Sequence, residues 1–210
     1  QITSVSPNDN SFINNSKPTI SATYTDNLSG INTQSIKLFL DNNDITANAT
    51  ITSGQTQFAP TLSLIDGNHT TKIIVQDLAG NTTEKEWKFF IDTISPTITS
   101  NLKSKEQETI PTLTPEITLT ITDLIPSSSI NKNTLLVKIN DTDVTNQFVW
   151  NNDTVQTRHG VSLQNIIEGD NTLFAEIQDY SGNKAVYQIN FFISIAKEFF
   201  APDIFSTNVQ

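Results

Sequence analysis

Two sets of oxygen-bearing side chains are the residues whose types and spacing could do chemistry. Their members are Asp26, Asp77 and Asn81 in the first set, and Asp92, Asp123, Asp179 and Asn183 in the second. Carboxylate and amide oxygens are the ligands that a hard cation such as Ca²⁺ prefers, and calcium takes six or more of them. The predicted chemistry is therefore cation binding, provided that the fold brings the members of each set together.

An internal repeat relates the two sets to each other. Residues 65–81 read IDGNHTTKIIVQDLAGN, and residues 167–183 read IEGDNTLFAEIQDYSGN. Upstream, residues 18–26 match residues 115–123, and downstream, residues 87–91 match residues 189–193. Asp26, Asp77 and Asn81 thus correspond to Asp123, Asp179 and Asn183. A match kept over so many segments indicates two homologous modules.

Alternating apolar residues predict the strands that must position these side chains. In both copies, apolar residues recur at every second position, and in the first row of each copy Thr or Ser separates them, which is typical of strands with one buried face. The predicted inward rows of the first copy are Ile20, Ala22 and Tyr24; Ile36, Leu38 and Leu40; Ile73 and Val75; and Trp87, Phe89 and Ile91. Those of the second are Ile117, Leu119 and Ile121; Leu135, Val137 and Ile139; Ala175 and Ile177; and Ile189, Phe191 and Ile193. No window shows a convincing helical period.

The segments between these strands have the composition of turns. Residues 41–44 and 140–143 are rich in Asn and Asp and suit tight hairpins. Residues 77–81 and 179–183 each join two strands, with a glycine for positive φ and a leading Asp that can accept hydrogen bonds from the turn backbone. Short strands joined by such turns predict an all-β sandwich or barrel.

This pattern resembles the bacterial immunoglobulin-like domains that occur in tandem in large surface and secreted proteins. The marks are the D-x-x-G-N turn before the last strand, an aromatic last strand, and the closing sequence IDTISP at residues 91–96. The resemblance implies two tandem immunoglobulin-like β-sandwich domains, at residues 1–94 and 95–196. Residues 197–210 would be a C-terminal extension or the start of a further module. The second copy departs from the pattern at Ser194, where the closing Asp is missing.

Strand directions in such a sandwich predict where the second set of oxygen donors meets. The second and sixth strands end at the same pole, and the last strand finishes at the opposite pole. Asp92, at the end of the first domain's last strand, should therefore reach the pole of the second domain that carries Asp123, Asp179 and Asn183. The functional hypothesis for this set is an interdomain calcium site at that pole, with Ca²⁺ as the only cofactor.

The first set contains the same residue types as the second, but it has no member equivalent to Asp92. Asp26, Asp77 and Asn81 would form a partial equivalent that a preceding domain completes. The alternative for both sets is structural: Asp77 and Asp179 would only cap hairpins, while Asp26 and Asp123 would only cap loops, because Asp is a frequent turn former. Because Asp and Asn are such frequent turn formers, the sequence favours the structural interpretation, and the calcium site is the competing hypothesis.

Aromatic residues offer a second kind of binding. Trp150 stands in the polar context FVWNND and is the candidate ligand-binding residue for a glycan, while Phe90 and Phe192 should point away from the core. The alternative is that all three are packed, because large aromatic residues usually bury. His69 and His159 are expected to be exposed loop residues without a metal or catalytic role.

Composition argues against several functions. The 210-residue chain has a net charge of −10 and no cysteine, and it lacks any run of eighteen apolar residues. Such a chain repels nucleic acid and anionic membranes, does not insert into membranes, and holds no thiol nucleophile or cysteine-bound zinc. No G-x-S-x-G, H-E-x-x-H or P-loop pattern occurs. We therefore expect no enzyme.

The expected function is that of a structural or adhesive module, outside the cell or at its surface, that presents a distal domain as a stalk or spacer. The alternative is a carbohydrate- or protein-binding accessory module of a secreted enzyme. Expected partners are the neighbouring domains of the same chain and a glycan or cell-surface protein. We expect the chain to be a monomeric fragment whose targeting signals lie elsewhere.

Overall fold

The computed structural model describes residues 1–104, 107–159 and 162–195. These residues form four β-sheets that make two β-sandwiches, which confirms the expected all-β fold. The helical content of the described ranges is two short 3₁₀ turns, Thr46–Asn48 and Thr145–Gln147. Over these ranges, no helix has the length and apolar character needed to cross a membrane. The predicted extension at residues 197–210 lies outside the described residues.

The first sandwich consists of two sheets. Its strands are β1 (Ile2–Ser6), β2 (Ser11–Ile13), β3 (Ile20–Tyr24), β4 (Lys37–Leu40), β5 (Asn43–Asp44), β6 (Thr50–Ile51), β7 (Gln55–Phe58), β8 (Gly67–Gln76) and β9 (Thr82–Ile91). One sheet has the order β1-β3-β7-β6, and the other has the order β2-β9-β8-β4-β5. Strands β2 and β9 pair in parallel, whereas the other recorded pairs of this sandwich are antiparallel.

The second sandwich repeats this arrangement strand for strand. Its strands are β10 (Thr97–Ser100), β11 (Thr109–Ile110), β12 (Thr118–Thr122), β13 (Ile130–Ile139), β14 (Thr142–Asp143), β15 (Phe148–Asn151), β16 (Thr154–Thr157), β17 (Gly169–Asp179) and β18 (Lys184–Ile193). The sheet orders are β10-β12-β16-β15 and β11-β18-β17-β13-β14. Each strand thus has a counterpart in the first sandwich, as the sequence repeat predicts.

The alternation within the strands accounts for the cores. Along β3, the burial pattern alternates strictly, and Ile20, Ala22 and Tyr24 are at most 1% exposed. Burying one large aliphatic or aromatic side chain stabilises a fold by roughly 1.5–3 kcal/mol, so these rows hold the two sheets together. The predicted inward rows are buried in both copies except for Leu135 and Ile189, which are only partly buried.

The predicted hairpin turns also form. Asp41 and Asn42 have φ values of 49° and 64°, and their counterparts Asn140 and Asp141 have values of 47° and 65°. Two consecutive residues with positive φ match the right-handed twist of the flanking strands, and Asn and Asp tolerate this conformation better than other side chains do.

Contacts between Cα atoms divide the chain into two compact units. The first comprises residues 1–98, 121–135 and 176–186, and the second comprises the described parts of residues 99–120, 136–175 and 187–195. The predicted domain boundaries at residues 94/95 and 196/197 stay predictions. Asp92, Asp123 and Asp179 all belong to the first unit.

A candidate cation site

Three carboxylates from distant parts of the sequence meet in the first unit. Asp92 follows β9, Asp123 follows β12, and Asp179 is the last residue of β17. Each offers one oxygen, and these oxygens lie within 4.8 Å of one another. The structure thus brings together three of the four residues that the sequence proposes for the second set, and Asn183 joins them through the hydrogen bonds described next.

Hydrogen bonds fix both the main chain and the side chain of Asp92. Its main-chain N–H donates to the carbonyl of Ile13 at 3.0 Å, which continues the pairing of β2 with β9. Its Oδ1 accepts the N–H of Ile94 at 3.1 Å, and its Oδ2 accepts the N–H of Ser128 at 2.6 Å. The Nδ2 of Asn183 donates to the main-chain oxygen of Asp92 at 2.8 Å. Asp92 is therefore a buried, fixed carboxylate with 0% exposure.

Asp179 organises the turn that follows β17. Its Oδ1 accepts the N–H of Asn183 at 2.8 Å, and its Oδ2 accepts the Nδ2 of Asn183 at 2.7 Å. Asp77 makes the same two bonds to Asn81, with the same two distances. Both aspartates thus accept the turn hydrogen bonds that the structural interpretation predicts. These bonds leave lone pairs on both carboxylates, since each oxygen can accept more than one bond.

Asp123 differs from its counterpart Asp26. Asp26 caps its loop, because its Oδ2 accepts the N–H groups of Leu28 at 3.1 Å and Gly30 at 2.7 Å. Within the described part of the chain, both carboxylate oxygens of Asp123 are shielded from solvent and make no hydrogen bond of standard geometry. The loop-cap interpretation therefore fits Asp26 and does not fit Asp123.

The surroundings of Asp123 change its acidity. Burial raises the pKa of its carboxyl to about 6, and the negative charges of Asp92 and Asp179 add to the rise. The nearby Ser127 hydroxyl and the Leu124 backbone lower this pKa and only partly offset the effect. Either a proton or a cation would relieve the repulsion among the three carboxylates.

The first set lies open at the corresponding place in the first sandwich. Asp26, Asp77 and Asn81 line a cavity of about 140 Å³ together with Gln1 and other residues. Hydrogen bonds from the Gly30 and Leu28 backbone lower the pKa of Asp26, and the Asn81 side chain lowers that of Asp77. Asn81 is exposed, whereas Asn183 is only 9% exposed. The two sets therefore share residue types and turn bonds but differ in burial.

The aromatic candidates are dispersed. Trp150 lies partly exposed on β15, an edge strand of its sheet. Phe90 and Phe192 are partly exposed, and each neighbours a buried Phe, which agrees with the predicted outward orientation. The Phe90 ring lies 5.7 Å from that of Phe12.

The expectation that both histidines are exposed loop residues is wrong for His69. This residue lies on β8 and is 4% exposed, with Nδ1 at 2.7 Å from Asp41 Oδ2 and Nε2 at 2.8 Å from the Ile65 carbonyl. Its ring stacks on Phe89. The signal was in the sequence, because His69 is in phase with the inward residue Ile73 of the same strand. His159 is exposed and outside any strand, as expected.

Sequence reasoning also missed Ser128. Its N–H binds Asp92, and its hydroxyl accepts the N–H of Ser181 at 3.0 Å, so it connects the loop after β12 with the turn after β17. A run of three serines carries no signal for such a role.

Comparison with known proteins agrees with this fold. Residues 1–93 match the family model described as bacterial Ig-like domain. No curated protein sequence matches the chain. Among solved structures, the chain resembles the fibronectin(III)-like modules of Clostridium thermocellum CbhA, with 12% identity, a TM-score of 0.50, and coverage of 93% of this chain and 95% of that one.

Two further solved structures give similar matches. Murine CEACAM1b has 14% identity and a TM-score of 0.50, with coverage of 92% of this chain and all of that one. Immunoglobulin domains 1–4 of Sidekick-1 have 10% identity and a TM-score of 0.50, with coverage of 92% of this chain and 48% of that one. Identities this low establish the fold alone. Residues 1–93 therefore resemble the bacterial Ig-like domain family, and the strand-for-strand repeat carries the same fold into the second sandwich.

Proposed function

We propose that this chain is a non-catalytic spacer of a bacterial surface or secreted protein, whose two Ig-like domains are joined rigidly by calcium. The observation that carries the proposal is the cluster of Asp92, Asp123 and Asp179. Its first member ends the last strand of one Ig-like repeat, and the other two follow strands of the next repeat. A cation held by all three would fix the connection between the repeats.

The two buried carboxylate oxygens of Asp123 support cation binding more directly than the number of acidic residues in the cluster does. Hydrogen bonds of standard geometry account for Asp92 and Asp179, whereas within the described residues both buried oxygens of Asp123 make none. A buried carboxylate with no partner costs free energy unless a proton or a cation joins it. Calcium requires six or more oxygens, and the three carboxylates with the Asn183 carbonyl oxygen and nearby main-chain carbonyls would provide them. Asp26, Asp77 and Asn81 would form the partial equivalent.

The chemistry of the described residues supports a non-catalytic role. Hydrolysis by a side chain requires a nucleophile next to an oriented base, or paired carboxylates in a cleft. Both ring nitrogens of His69 are engaged in hydrogen bonds inside the sandwich. The clustered carboxylates lie beside main-chain donors and an amide, with two of them buried, an arrangement suited to holding a cation.

Thermal unfolding of the chain in calcium and in excess chelator tests the proposal. At a calcium concentration of about one hundred times the dissociation constant, a specific site stabilises the fold by roughly 2.7 kcal/mol. We expect the shift to be lost in Asp123→Asn and Asp179→Asn. It should persist in the control variant Asp153→Asn, which changes an exposed residue between β15 and β16.

Superimposable unfolding curves with calcium and with chelator would remove the calcium part of the proposal. A shift that magnesium reproduces, or that Asp123→Asn leaves intact, would place the cation elsewhere. The spacer role has its own test in a glycan array. Specific binding that Trp150→Ala abolishes would replace the spacer with an accessory binding module.

A further inference from the structure

We infer that a cavity on the outer face of the first sandwich binds one unit of a neutral glycan. The cavity has a volume of about 260 Å³, and its lining residues are Phe39, Asn42, Thr70, Lys72, Ile74 and Glu86. The inference goes beyond the proposed function, because this outer-face cavity contains no residue of either oxygen-donor set and needs no calcium. Its evidence is the contrast with the corresponding face of the second sandwich, where the side chains engage one another.

Three adjacent strands position the residues of the outer-face cavity. Thr70, Lys72 and Ile74 alternate along β8 with buried residues, so their side chains point away from the core. Within the sheet, Lys72 lies opposite Phe39 of β4 on one side and opposite Glu86 of β9 on the other. Strand β8 therefore forms the centre of the cavity, with β4 and β9 beside it.

The hairpin between β4 and β5 supplies Asn42 and is fixed against β8. The main-chain N–H of Asp41 donates to the Thr70 carbonyl at 2.8 Å, and Asp41 Oδ1 accepts the Thr70 N–H at 2.9 Å. Asp41 Oδ2 lies 2.7 Å from Nδ1 of the buried His69. These bonds hold the hairpin in place, so a sugar would meet a preformed site and binding would spend little free energy on ordering it.

An aromatic and a basic residue have exchanged places between the two repeats. By the sequence repeat, Phe39 corresponds to Lys138, and Lys72 corresponds in the same way to Phe174. In the second sandwich, Lys138 Nζ lies over the Phe174 ring, 5.9 Å from its centroid. In the first sandwich, Lys72 Nζ instead bonds Glu84 Oε2 at 2.8 Å, and Phe39 lines the cavity. The lysine thus covers the ring in one repeat and turns to a glutamate in the other.

A hydroxyl shows the same contrast. Thr172, the counterpart of Thr70, donates its hydroxyl to Asn190 Oδ1 at 2.9 Å. Within the described residues, the side chains of Asn42, Thr70 and Glu86 make no hydrogen bond or ion pair of their own. The first sandwich therefore presents three unengaged polar side chains next to an aromatic one.

These groups suit a molecule that is rich in hydroxyls. A sugar hydroxyl both donates and accepts hydrogen bonds, as do the Asn42 amide and the Thr70 hydroxyl, while the Glu86 carboxylate accepts them. The Phe39 ring offers an apolar face on which the C–H groups of a sugar ring can pack. The cavity is smaller than the roughly 300–1,000 Å³ of sites that hold drug-sized molecules, so it fits one sugar unit.

A peptide fits this place less well than a sugar. Peptides that bind sheets commonly add a strand at a free edge, where main-chain hydrogen bonds supply the affinity. The cavity lies over β8, whose main chain is already paired with β4 on one side and with β9 on the other. Recognition at the cavity therefore depends on side chains.

Charge favours a neutral glycan over an acidic one. Lys72 is paired with Glu84, whereas Glu86 has no cationic partner within the described residues. These three side chains together carry one negative charge, and the whole chain has a net charge of −10. The carboxylate of a uronic or sialic acid would therefore be repelled.

A glycan array that carries neutral and acidic saccharides side by side tests the inference, with the full chain applied in excess chelator. We expect binding to at least one neutral saccharide. The affinity for that saccharide should fall roughly tenfold in Phe39→Ala, the usual scale for loss of an aromatic anchor. Asn42→Gly should also weaken binding, because it removes the amide but tolerates the positive φ of the turn.

A paired substitution covers the cavity instead of removing a contact. Phe39→Lys combined with Lys72→Phe copies the lysine and phenylalanine of the second sandwich onto the first, and it should abolish binding. Gln188→Ala is the matched control, since it removes the exposed counterpart of Glu86 and should leave binding unchanged. Circular dichroism and unfolding midpoints show whether each variant is folded.

An array without any bound neutral saccharide would overturn the inference, as would a preference for acidic saccharides. Binding that survives the paired substitution, or that Trp150→Ala removes while Asn42→Gly does not, would place the site elsewhere and would overturn it equally. Failure of the inference leaves the calcium-dependent connection of the repeats intact. Chelator is present throughout the array experiment, and thermal unfolding tests that connection separately.

Discussion

The side-chain amide of Asn183 donates a hydrogen bond of 2.8 Å to the main-chain oxygen of Asp92, 91 residues earlier in the chain. The same nitrogen donates to Asp179 Oδ2 at 2.7 Å. Both N–H groups of this amide are therefore in use, and only its carbonyl oxygen remains as an acceptor or a metal ligand. One amide thus connects the turn after β17 with the end of β9.

The first prediction concerns the pH dependence of stability without calcium. The raised pKa of Asp123, about 6 in the folded chain against an ordinary 3.8, means that the folded state binds the proton more tightly. The stability contributed by this group is fully present below pH 3.8 and is lost as the pH rises to about 6. Asp123→Asn should therefore unfold at higher denaturant concentration at pH 7, by on the order of 1 kcal/mol after allowance for solvent screening.

Asp26→Asn is the control for this prediction, since backbone hydrogen bonds lower the pKa of Asp26. This variant should lose stability at pH 7 and approach the parent chain as the pH falls below the ordinary carboxyl range. Denaturant titrations from about pH 2 to pH 8 measure both effects, because the Asp26 contribution is lost only below its lowered pKa. A parent chain as stable at pH 7 as at pH 4, with Asp123→Asn unchanged, would contradict the assignment.

A buried hydroxyl gives the second prediction. Within the described residues, Thr71 Oγ1 is buried without a hydrogen-bond partner, and the counterpart position in the second repeat is the buried Leu173. Thr71→Val should stabilise the chain by about 1 kcal/mol, because the unpaired hydroxyl no longer has to leave water. Thr56→Val should do the opposite, since the Thr56 hydroxyl is hydrogen-bonded to the Tyr24 hydroxyl at 2.9 Å. Chemical unfolding measures both variants. Equal changes in their free energies of unfolding would refute the argument.

A double-mutant cycle provides the third prediction. Asp41 and His69 form a pair at 2.7 Å, and the second repeat has Asn140 and Asn171 in the same places, joined at 2.9 Å. Asp41→Asn and His69→Asn should each destabilise the chain. The double variant should be about 1 kcal/mol more stable than the sum of the two single losses predicts, because it recreates the amide pair of the second repeat. A coupling energy near zero in denaturant unfolding would mean that the two side chains act independently.

The fourth prediction concerns the first hairpin. Asn42 has a φ of 64°, which a β-branched side chain adopts only with strain. Asn42→Val should lower the free energy of unfolding by about 1–2 kcal/mol, whereas Asn42→Gly should leave it nearly unchanged or raise it slightly. Thermal melts of both variants beside the parent measure the difference. A Val variant as stable as the Gly variant would show that the turn relaxes into another conformation.

The parts of the structure that were predictable from the sequence depend on local periodicity. Alternation places Ile20, Ala22 and Tyr24 inside, and the repeated turns position Asp77 and Asp179. The unpaired state of Asp123 was not predictable, because it depends on how closely loops from distant strands approach one another. The burial of His69 follows from its place in the alternation of β8, whereas its polar type alone favours the surface.

The parallel pairing of β2 with β9 has a mechanical consequence. Ser11, Phe12 and Ile13 face Phe89, Phe90 and Ile91 in register. A pulling force applied between the first strands and the residue after β9 acts along both strands in opposite directions. It therefore loads the hydrogen bonds between β2 and β9 together, in shear. Within the described part of the second sandwich, two residue pairs join β11 to β18 in the same way. A chain stretched from its ends should thus yield first in the second sandwich and resist longest in the first.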